Sequence, residues 1–123
     1  MGENKEYMTL PDENGTINIS EEVISVVAAN AALETEFVSS LSVGSGKDIA
    51  ERIGKKNSQK GIRLQYNEDG GLIVDVYILT ALGCSVINVG NEVQGNVSSA
   101  IEATTGITAA EVNVHICGIS LDK

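Results

Sequence analysis

The chain has 123 residues, a formal net charge of −9 and a sequence pI of about 4.4. This length suits one domain that buries its own core, and a 42% hydrophobic content is ordinary for a globular protein. The acidic balance repels phosphate backbones, the 3% aromatic content leaves few rings for base stacking, and two distant cysteines do not make a disulfide framework.

The first third of the chain predicts a flexible leader, a short strand and a helix. Residues 1–14 are polar and contain Pro11, so we expect a flexible N-terminal leader there and one domain over residues 15–121. Alternation over 16–19 predicts a strand. Ser20 is a favourable N-cap with two glutamates after it, so a helix should run to about Ala32. Its apolar stripe is Ile24, Val27, Ala28 and Ala31.

The middle of the chain predicts a second short strand at 37–41 and one or two helical turns between Lys47 and Lys55. Residues 62–66 then alternate as a strand, and the turn sequence 67–70 joins them to a hairpin partner. That partner, 72–79, has Val and Ile on both faces, which is typical of a central strand.

The last third predicts a long helix and a final strand. Apolar residues recur at helical spacing from Val86 to Thr104, namely Val86, Val89, Val93, Val97, Ala100, Ile101 and Thr104. Gly90 and Gly95 each cost such a helix roughly 1 kcal/mol relative to Ala, and we expect them to allow close approach to the sheet. Gly106 is a suitable residue after the helix end, and 112–119 forms the last strand.

The element order is therefore β-α-β-(short α)-β-β-α-β. It predicts an α+β fold, a two-layer sandwich in which the two main helices pack on one face of a mixed or antiparallel sheet. The polar start has no apolar stretch of the signal-peptide kind, and no segment approaches the roughly 18 apolar residues of a membrane span. We therefore expect a cytoplasmic protein with reduced thiols.

Several segments, taken together and in order, carry a family resemblance over residues 15–119. They are GTINISEEVI at 15–24, RIGKK at 52–56, the hairpin block at 61–78, VQGNV at 93–97, TG at 105–106 and EVNVHICGI at 111–119. This pattern resembles the alkaline shock protein family of envelope stress response proteins in Gram-positive bacteria.

The resemblance implies a small non-enzymatic cytosolic domain with a role in cell-envelope homeostasis. In some relatives that role is exercised at the inner face of the membrane, through a separate membrane-anchored protein partner. Other relatives are tied to fatty-acid metabolism. The family offers no catalytic residues and no cofactor to carry over, so the resemblance implies that the chain is not an enzyme.

Basic residues cluster in the middle of the chain. Six of the eight fall between positions 47 and 63, where two acidic residues leave a local charge of about +4. We treat them as a candidate interaction patch that could contact a protein partner or a second copy: Lys47, Arg52, Lys55, Lys56, Lys60 and Arg63. A solvated loop that merely carries the cations is the alternative.

His115, the single histidine, alternates with apolar neighbours and so shares a strand face with Asn113 and Cys117. If the strands pair as expected, Arg63 could join this face. The candidate polar sheet face comprises Gln65, Asp75, Tyr77, Asn113 and His115. A metal site would need three or four convergent ligands, and acid–base catalysis would need a positioned partner, for which Asp75 is the candidate. A structural or docking role is favoured over both.

The remaining motifs carry no predicted chemistry. Residues 44–47 are similar to a phosphate-binding loop, but Leu41 and Asp48 stand where that motif needs Gly and Ser or Thr. Cys84 lies in a predicted loop and Cys117 on a predicted strand, and both are expected to be structural thiols.

Together with the resemblance, the sequence predicts a non-catalytic binding or scaffold protein of the envelope stress response that acts by protein–protein contacts, with self-association as a further candidate contact. A regulatory accessory of fatty-acid metabolism enzymes is an alternative. An RNA-binding domain is a weaker one, because the acidic charge opposes it and no nucleic-acid partner is expected.

Overall fold

The computed structural model describes residues 7–42 and 61–121. Within these ranges the chain forms six strands and two helices: β1 (Tyr7–Asp12), β2 (Gly15–Ser20), α1 (Glu21–Glu34), β3 (Val38–Leu41), β4 (Ile62–Tyr66), β5 (Leu72–Ala81), α2 (Val86–Thr105) and β6 (Glu111–Ser120). The predicted α+β class is confirmed, and each predicted strand and main helix appears within about two residues of its expected ends. The helical turns predicted between Lys47 and Lys55 lie outside the described residues.

The prediction of a flexible leader over residues 1–14 is wrong for residues 7–12. These residues form β1, which pairs antiparallel with β2 from Tyr7↔Ser20 to Asp12↔Gly15. Met8 and Leu10 occupy alternate positions of β1 and pack against the core, and this apolar period of two favours a strand. Pro11 is tolerated because a two-stranded ribbon leaves one edge of each strand unpaired.

β5 is the centre of a four-stranded mixed sheet. β6 pairs with it in parallel over residues 73–81. Because a strand has two edges, β4 and β3 must share the other one: β4 pairs antiparallel with residues 72–76 and β3 with residues 78–80. The two short strands meet at Tyr77, whose carbonyl accepts a hydrogen bond from the Ser42 N–H and whose N–H donates to the Gly61 carbonyl, each at 2.8 Å.

Both helices begin and end where the sequence predicts. Ser20 caps α1 by accepting from the Glu22 N–H, and Ser85 caps α2 by accepting from the Asn88 N–H. At the end of α2, Gly106 adopts the left-handed conformation with φ +79°, and its N–H donates to the Glu102 carbonyl. Such termini satisfy backbone groups that the helix itself leaves unpaired.

The core lies between the helices and one face of the sheet. Val74, Val76 and Ile78 of β5 are fully buried, and so are Val93 and Val97 of α2. The part of the α2 stripe that is buried is Val89, Val93, Val97 and Ile101, followed by Thr105 rather than the predicted Thr104.

Three of the four residues of the predicted α1 stripe are buried, and only Val27 is partly exposed. The buried side is wider than predicted, since Ser25, Ala29 and Ala32 are buried too, and it consists mostly of small residues. The reason is that α1 packs closely against α2, where small side chains let the two backbones approach. The Asn96 side chain joins the two helices by donating to the Thr35 hydroxyl at 2.9 Å.

The expectation that Gly90 and Gly95 allow close approach to the sheet is wrong. A Cβ added at Gly90 would lie 3.9 Å from the Ile116 Cδ1, which is an ordinary van der Waals contact, and one at Gly95 would meet nothing within 4 Å. Neither position needs glycine for packing. Among the described residues, no helix has the length and apolarity required to cross a membrane.

We predict that Gly95→Ala raises the free energy of unfolding by about 0.5–1 kcal/mol, because alanine loses less backbone entropy in a helix and meets no neighbour here. Gly106→Ala should lower it by about 1 kcal/mol, since its positive φ disfavours a Cβ although the space is open. Urea denaturation of both variants measures the difference. Equal shifts of the same sign would contradict the assignment of the α2 terminus.

Candidate binding face of the sheet

The sheet face that points away from the helices brings the predicted polar residues together. The register sets Arg63 beside Asp75, Asp75 beside Asn113, and Tyr77 beside His115. Gln65 reaches the same group diagonally from β4. Residues on three strands thus meet around one carboxylate, and neither helix covers this face.

Asp75 is the centre of the cluster and is only 5% exposed. Its Oδ2 accepts a hydrogen bond from Gln65 Nε2 at 2.6 Å. Its Oδ1 accepts from Asn113 Nδ2 at 3.2 Å and contacts His115 Nε2 at 3.1 Å. A carboxylate that is buried away from water requires such donors, and here three neighbouring side chains supply them.

These contacts set the charge state of Asp75. Burial by itself raises the pKa of this carboxyl, but the hydrogen bonds from His115, Gln65 and Asn113 lower it further than burial raises it, so the net pKa lies below the ordinary value. Asp75 is therefore an ionised hydrogen-bond acceptor at neutral pH. A carboxylate in this state is a poor proton acceptor, because its basicity is reduced by the same donors.

His115 is held from two sides. Since the Asp75 carboxylate accepts the hydrogen bond, a proton on His115 is assigned to Nε2. The imidazole also stacks on the Tyr77 ring, with centroids 4.4 Å apart and planes inclined by 15°. The His115 side chain remains 44% exposed. The cluster thus presents a fixed imidazole on an otherwise flat strand surface.

This arrangement is suited to binding. Within residues 7–42 and 61–121, no group of three or more His, Cys, Asp or Glu side chains is placed to hold a metal ion. The face presents the His115 imidazole and the side chains of Gln65 and Asn113, which contact Asp75, and the Tyr77 ring, which stacks on His115. Positioned polar and aromatic groups on a rigid sheet are features of recognition surfaces.

The other predicted site residues are placed as follows. Of the basic patch, Arg63 lies in β4, and Lys47, Arg52, Lys55, Lys56 and Lys60 lie outside the described residues. Cys117 is an exposed free thiol at the register shift between Ile116 and Gly118, and its Sγ lies 3.7 Å from the His115 carbonyl. The Cys84 thiol donates to the Ala81 carbonyl at 3.1 Å and is a free thiol.

Sequence reasoning missed a cleft beside the start of α2. It has a volume of about 350 Å³ and is lined by Glu36, Phe37, Gly83, Cys84, Ser85, Asn88, Val89 and Glu92. Phe37 adopts a left-handed backbone with φ +73°, which is uncommon for a residue with a bulky side chain. No local signal announces this, since Phe37 is not Gly or Asn and stands just before a strand.

A second missed contact joins α1 to β4. The Tyr66 hydroxyl donates to the Glu21 carboxylate at 2.6 Å. Partial burial and this carboxylate together raise the pKa of Tyr66 above its usual value, so the phenol stays protonated as a donor. The two residues are 45 positions apart, and only the tertiary structure brings them together.

We predict that Asp75→Ala lowers the free energy of unfolding by about 1–3 kcal/mol, because the amides of Gln65 and Asn113 and the His115 N–H lose their shared acceptor. The matched control is Asp69→Ala in the exposed turn, which should change it by less than about 0.5 kcal/mol. Thermal or urea unfolding measures both. Equal effects of the two substitutions would show that the hydrogen bonds to Asp75 add nothing to the free energy of unfolding.

The lowered pKa of Asp75 also predicts a pH dependence. A carboxyl with a lower pKa in the folded state stabilises the fold above its unfolded value, near 3.8, and this contribution is lost as pH falls through the folded value. Unfolding free energies measured from pH 6 to pH 2 should therefore fall less steeply below pH 4 in Asp75→Asn than in the wild type. Parallel profiles would contradict the assigned direction.

Comparisons with known proteins assign the chain to a family. Residues 9–121 match the alkaline shock protein 23 family, which is described as having a cell envelope-related function. The uncharacterized protein YqhY of Bacillus subtilis is 34% identical over 108 residues, which cover 88% of this chain and 79% of the relative. A Streptococcus pyogenes serotype M6 protein, also named as uncharacterized, is 33% identical over 109 residues, or 89% of this chain and 82% of the relative.

The likeness extends to a second Bacillus subtilis protein. The uncharacterized protein YloU is 31% identical over 107 residues, which cover 85% of this chain and 88% of the relative. No solved structure matches the chain. The matched range includes every element from β2 to β6 and all five residues of the polar face, and the chain therefore belongs to the alkaline shock protein 23 family of cell envelope-related proteins.

Proposed function

We propose that this protein is a non-catalytic binding or scaffold domain of the envelope stress response, and that it acts through protein–protein contacts on the open face of the sheet. The observation that carries the proposal is the arrangement around Asp75. Gln65, Asn113 and His115 are fixed by one buried carboxylate on a face that neither helix covers. The cell envelope-related description of the family supplies the biological setting.

The geometry of the face supports binding over catalysis. The Asp75 oxygens are engaged by three donors, and the Asp75 pKa lies below its ordinary value, so this carboxylate is poorly suited to take up a proton near neutral pH. The exposed His115 lies on a strand surface, whereas catalytic groups usually line a concave pocket that excludes water.

A small membrane-anchored protein is the partner that fits this role best, and it would place the protein at the inner face of the membrane while the domain itself stays cytoplasmic. Self-association is the second proposed contact. The basic segment, with Lys55 and Lys56 at its centre, is a separate candidate contact, because it opposes the acidic charge of the rest of the chain.

The test is affinity co-purification from native cells after mild cross-linking, with the membrane fraction kept separate. We expect His115→Ala to reduce recovery of the main partner by at least about threefold, since it removes an exposed and positioned side chain. The matched control is Asn91→Ala, which removes an exposed polar side chain from α2 on the opposite layer. A double variant, Lys55→Glu with Lys56→Glu, tests the basic segment in the same assay.

Thermal unfolding of each variant shows that loss of the partner is not loss of the fold. Recovery that is unchanged in His115→Ala and reduced in the double lysine variant would move the contact to the basic segment. Recovery of fatty-acid synthesis enzymes as the His115-dependent partner would favour the regulatory accessory instead. Recovery that is equal in all variants would reject the proposed contact surfaces.

A further inference from the structure

The outer edge of β6 is a second feature of the sheet that the polar cluster does not use. Among the described residues β6 pairs only with β5, so one edge of this ten-residue strand has no strand beside it. The register shift lies between Ile116 and Gly118, which leaves 111–116 as regular strand. This stretch contains no Pro and no Lys, the residues that natural proteins place on exposed edges to prevent pairing.

The hydrogen-bond pattern identifies the groups on this edge. In a parallel pair, alternate residues of a strand direct both backbone groups toward the neighbouring strand. The Tyr77 N–H donates to the Gly61 carbonyl and the Asn67 N–H to the Gly71 carbonyl, so the odd-numbered residues of β5 direct their backbone groups toward β4 and the even-numbered ones toward β6. Residues at the same level of a parallel pair direct these groups the same way, so the partners of the odd residues, Glu111, Asn113 and His115, face β5. Val112, Val114 and Ile116 therefore face the outer edge, where the Val112 carbonyl already accepts a hydrogen bond from Gln94 Nε2 at 3.1 Å.

The helix-side row of β6 is only half covered. Val112, Val114 and Ile116 pack against the core but remain partly exposed, whereas Val74, Val76 and Ile78 on the adjacent strand are fully buried. One further strand alongside β6 would cover this apolar row. Such a strand needs apolar side chains on the side that faces α2.

The charge of the surroundings determines what the other side of that strand should carry. Seven of the eight basic residues of the chain lie outside the described residues, whereas twelve of the seventeen acidic residues lie within them. On the open face of β6, Glu111 is exposed and within 3.4 Å of the Asn113 amide. An incoming strand with Lys or Arg on this side would be attracted to the acidic body and would pair with Glu111.

We infer that β6 binds an extended segment of a partner protein by strand addition, and that this segment alternates apolar residues facing α2 with Lys or Arg facing Glu111. Main-chain hydrogen bonds to Val114 and Ile116 provide the pairing, and the alternating side chains provide the selectivity. The inference rests on the proposed binding role and adds to it the partner's backbone conformation and charge.

The probe is a short synthetic peptide that alternates Lys and Val, added to the full chain at about 0.15 M salt, where long-range charge effects are screened. Two further peptides carry methyl groups on alternate backbone nitrogens, one in each of the two possible frames. Strand addition uses one edge of the peptide, so one frame should lose binding and the other should keep it. Attraction by charge alone would leave the two frames equal and would overturn the inference.

Amide hydrogen exchange locates the contact. The N–H groups of Val114 and Ile116 should become protected when the peptide binds, whereas that of Asn113, which already faces β5, should change little. Glu111→Lys should weaken peptide binding at least about threefold, and the matched charge change Glu102→Lys on α2 should not. Equal weakening by both variants, or unchanged exchange at β6, would overturn the inference.

The outcomes separate this inference from the proposed function. Failure of the peptide to bind, with a cellular partner still lost in His115→Ala, would reject strand addition alone. Binding of the peptide, with no His115-dependent partner in cells, would reject the proposed face alone. Protection of the same β6 amides in concentrated protein without peptide would show that a second copy occupies the edge. This result would overturn the inference that the partner is a cationic segment.

Discussion

Every strand of the four-stranded sheet depends on β5 for its pairing. β6 occupies one edge of β5, and β4 and β3 divide the other edge between them. One face of β5 is the floor of the core, with Val74, Val76 and Ile78 fully buried beneath the helices. The ten residues of β5 thus provide the pairing edges for β3, β4 and β6 and part of the core surface beneath the helices.

The same strand imposes a requirement on its opposite face. Asp75 is buried between two paired neighbours although the face itself is open, and a buried carboxylate must be hydrogen-bonded or it costs several kcal/mol. Gln65 on β4 and Asn113 and His115 on β6 meet that requirement from both sides. The cluster therefore serves the fold first, and the fixed imidazole that it presents to solvent follows from the same contacts.

Charge and the sheet edge together give the domain two distinct surfaces. The described body is strongly acidic, and most of the basic residues fall between positions 47 and 60, outside it. Ser42 and Gly61, which flank that basic segment, both hydrogen-bond to the Tyr77 backbone. Ser42 and Gly61 thus lie at the edge of β5 that β3 and β4 share, whereas β6 lies along the other edge of β5.

The sequence by itself determined the elements whose signals are local. The caps Ser20 and Gly106, the apolar period of α2 and the alternation of β4 to β6 all identify their elements, because neighbouring residues carry the necessary pattern. Alternation also placed Gln65, Asp75, Tyr77, Asn113 and His115 on a common face. It failed at residues 7–12, where Pro11 and polar neighbours obscured a strand, and it gave no sign of the register shift at Cys117. Three other features could be seen only in the folded structure: β3 and β4 share one edge of β5, Tyr66 contacts Glu21, and β6 lies at the edge of the sheet. All three depend on contacts between residues that are far apart in sequence. Burial and strand pairing in the assembled sheet set the free energy of these contacts, so neighbouring residues in the chain carry no signal of them.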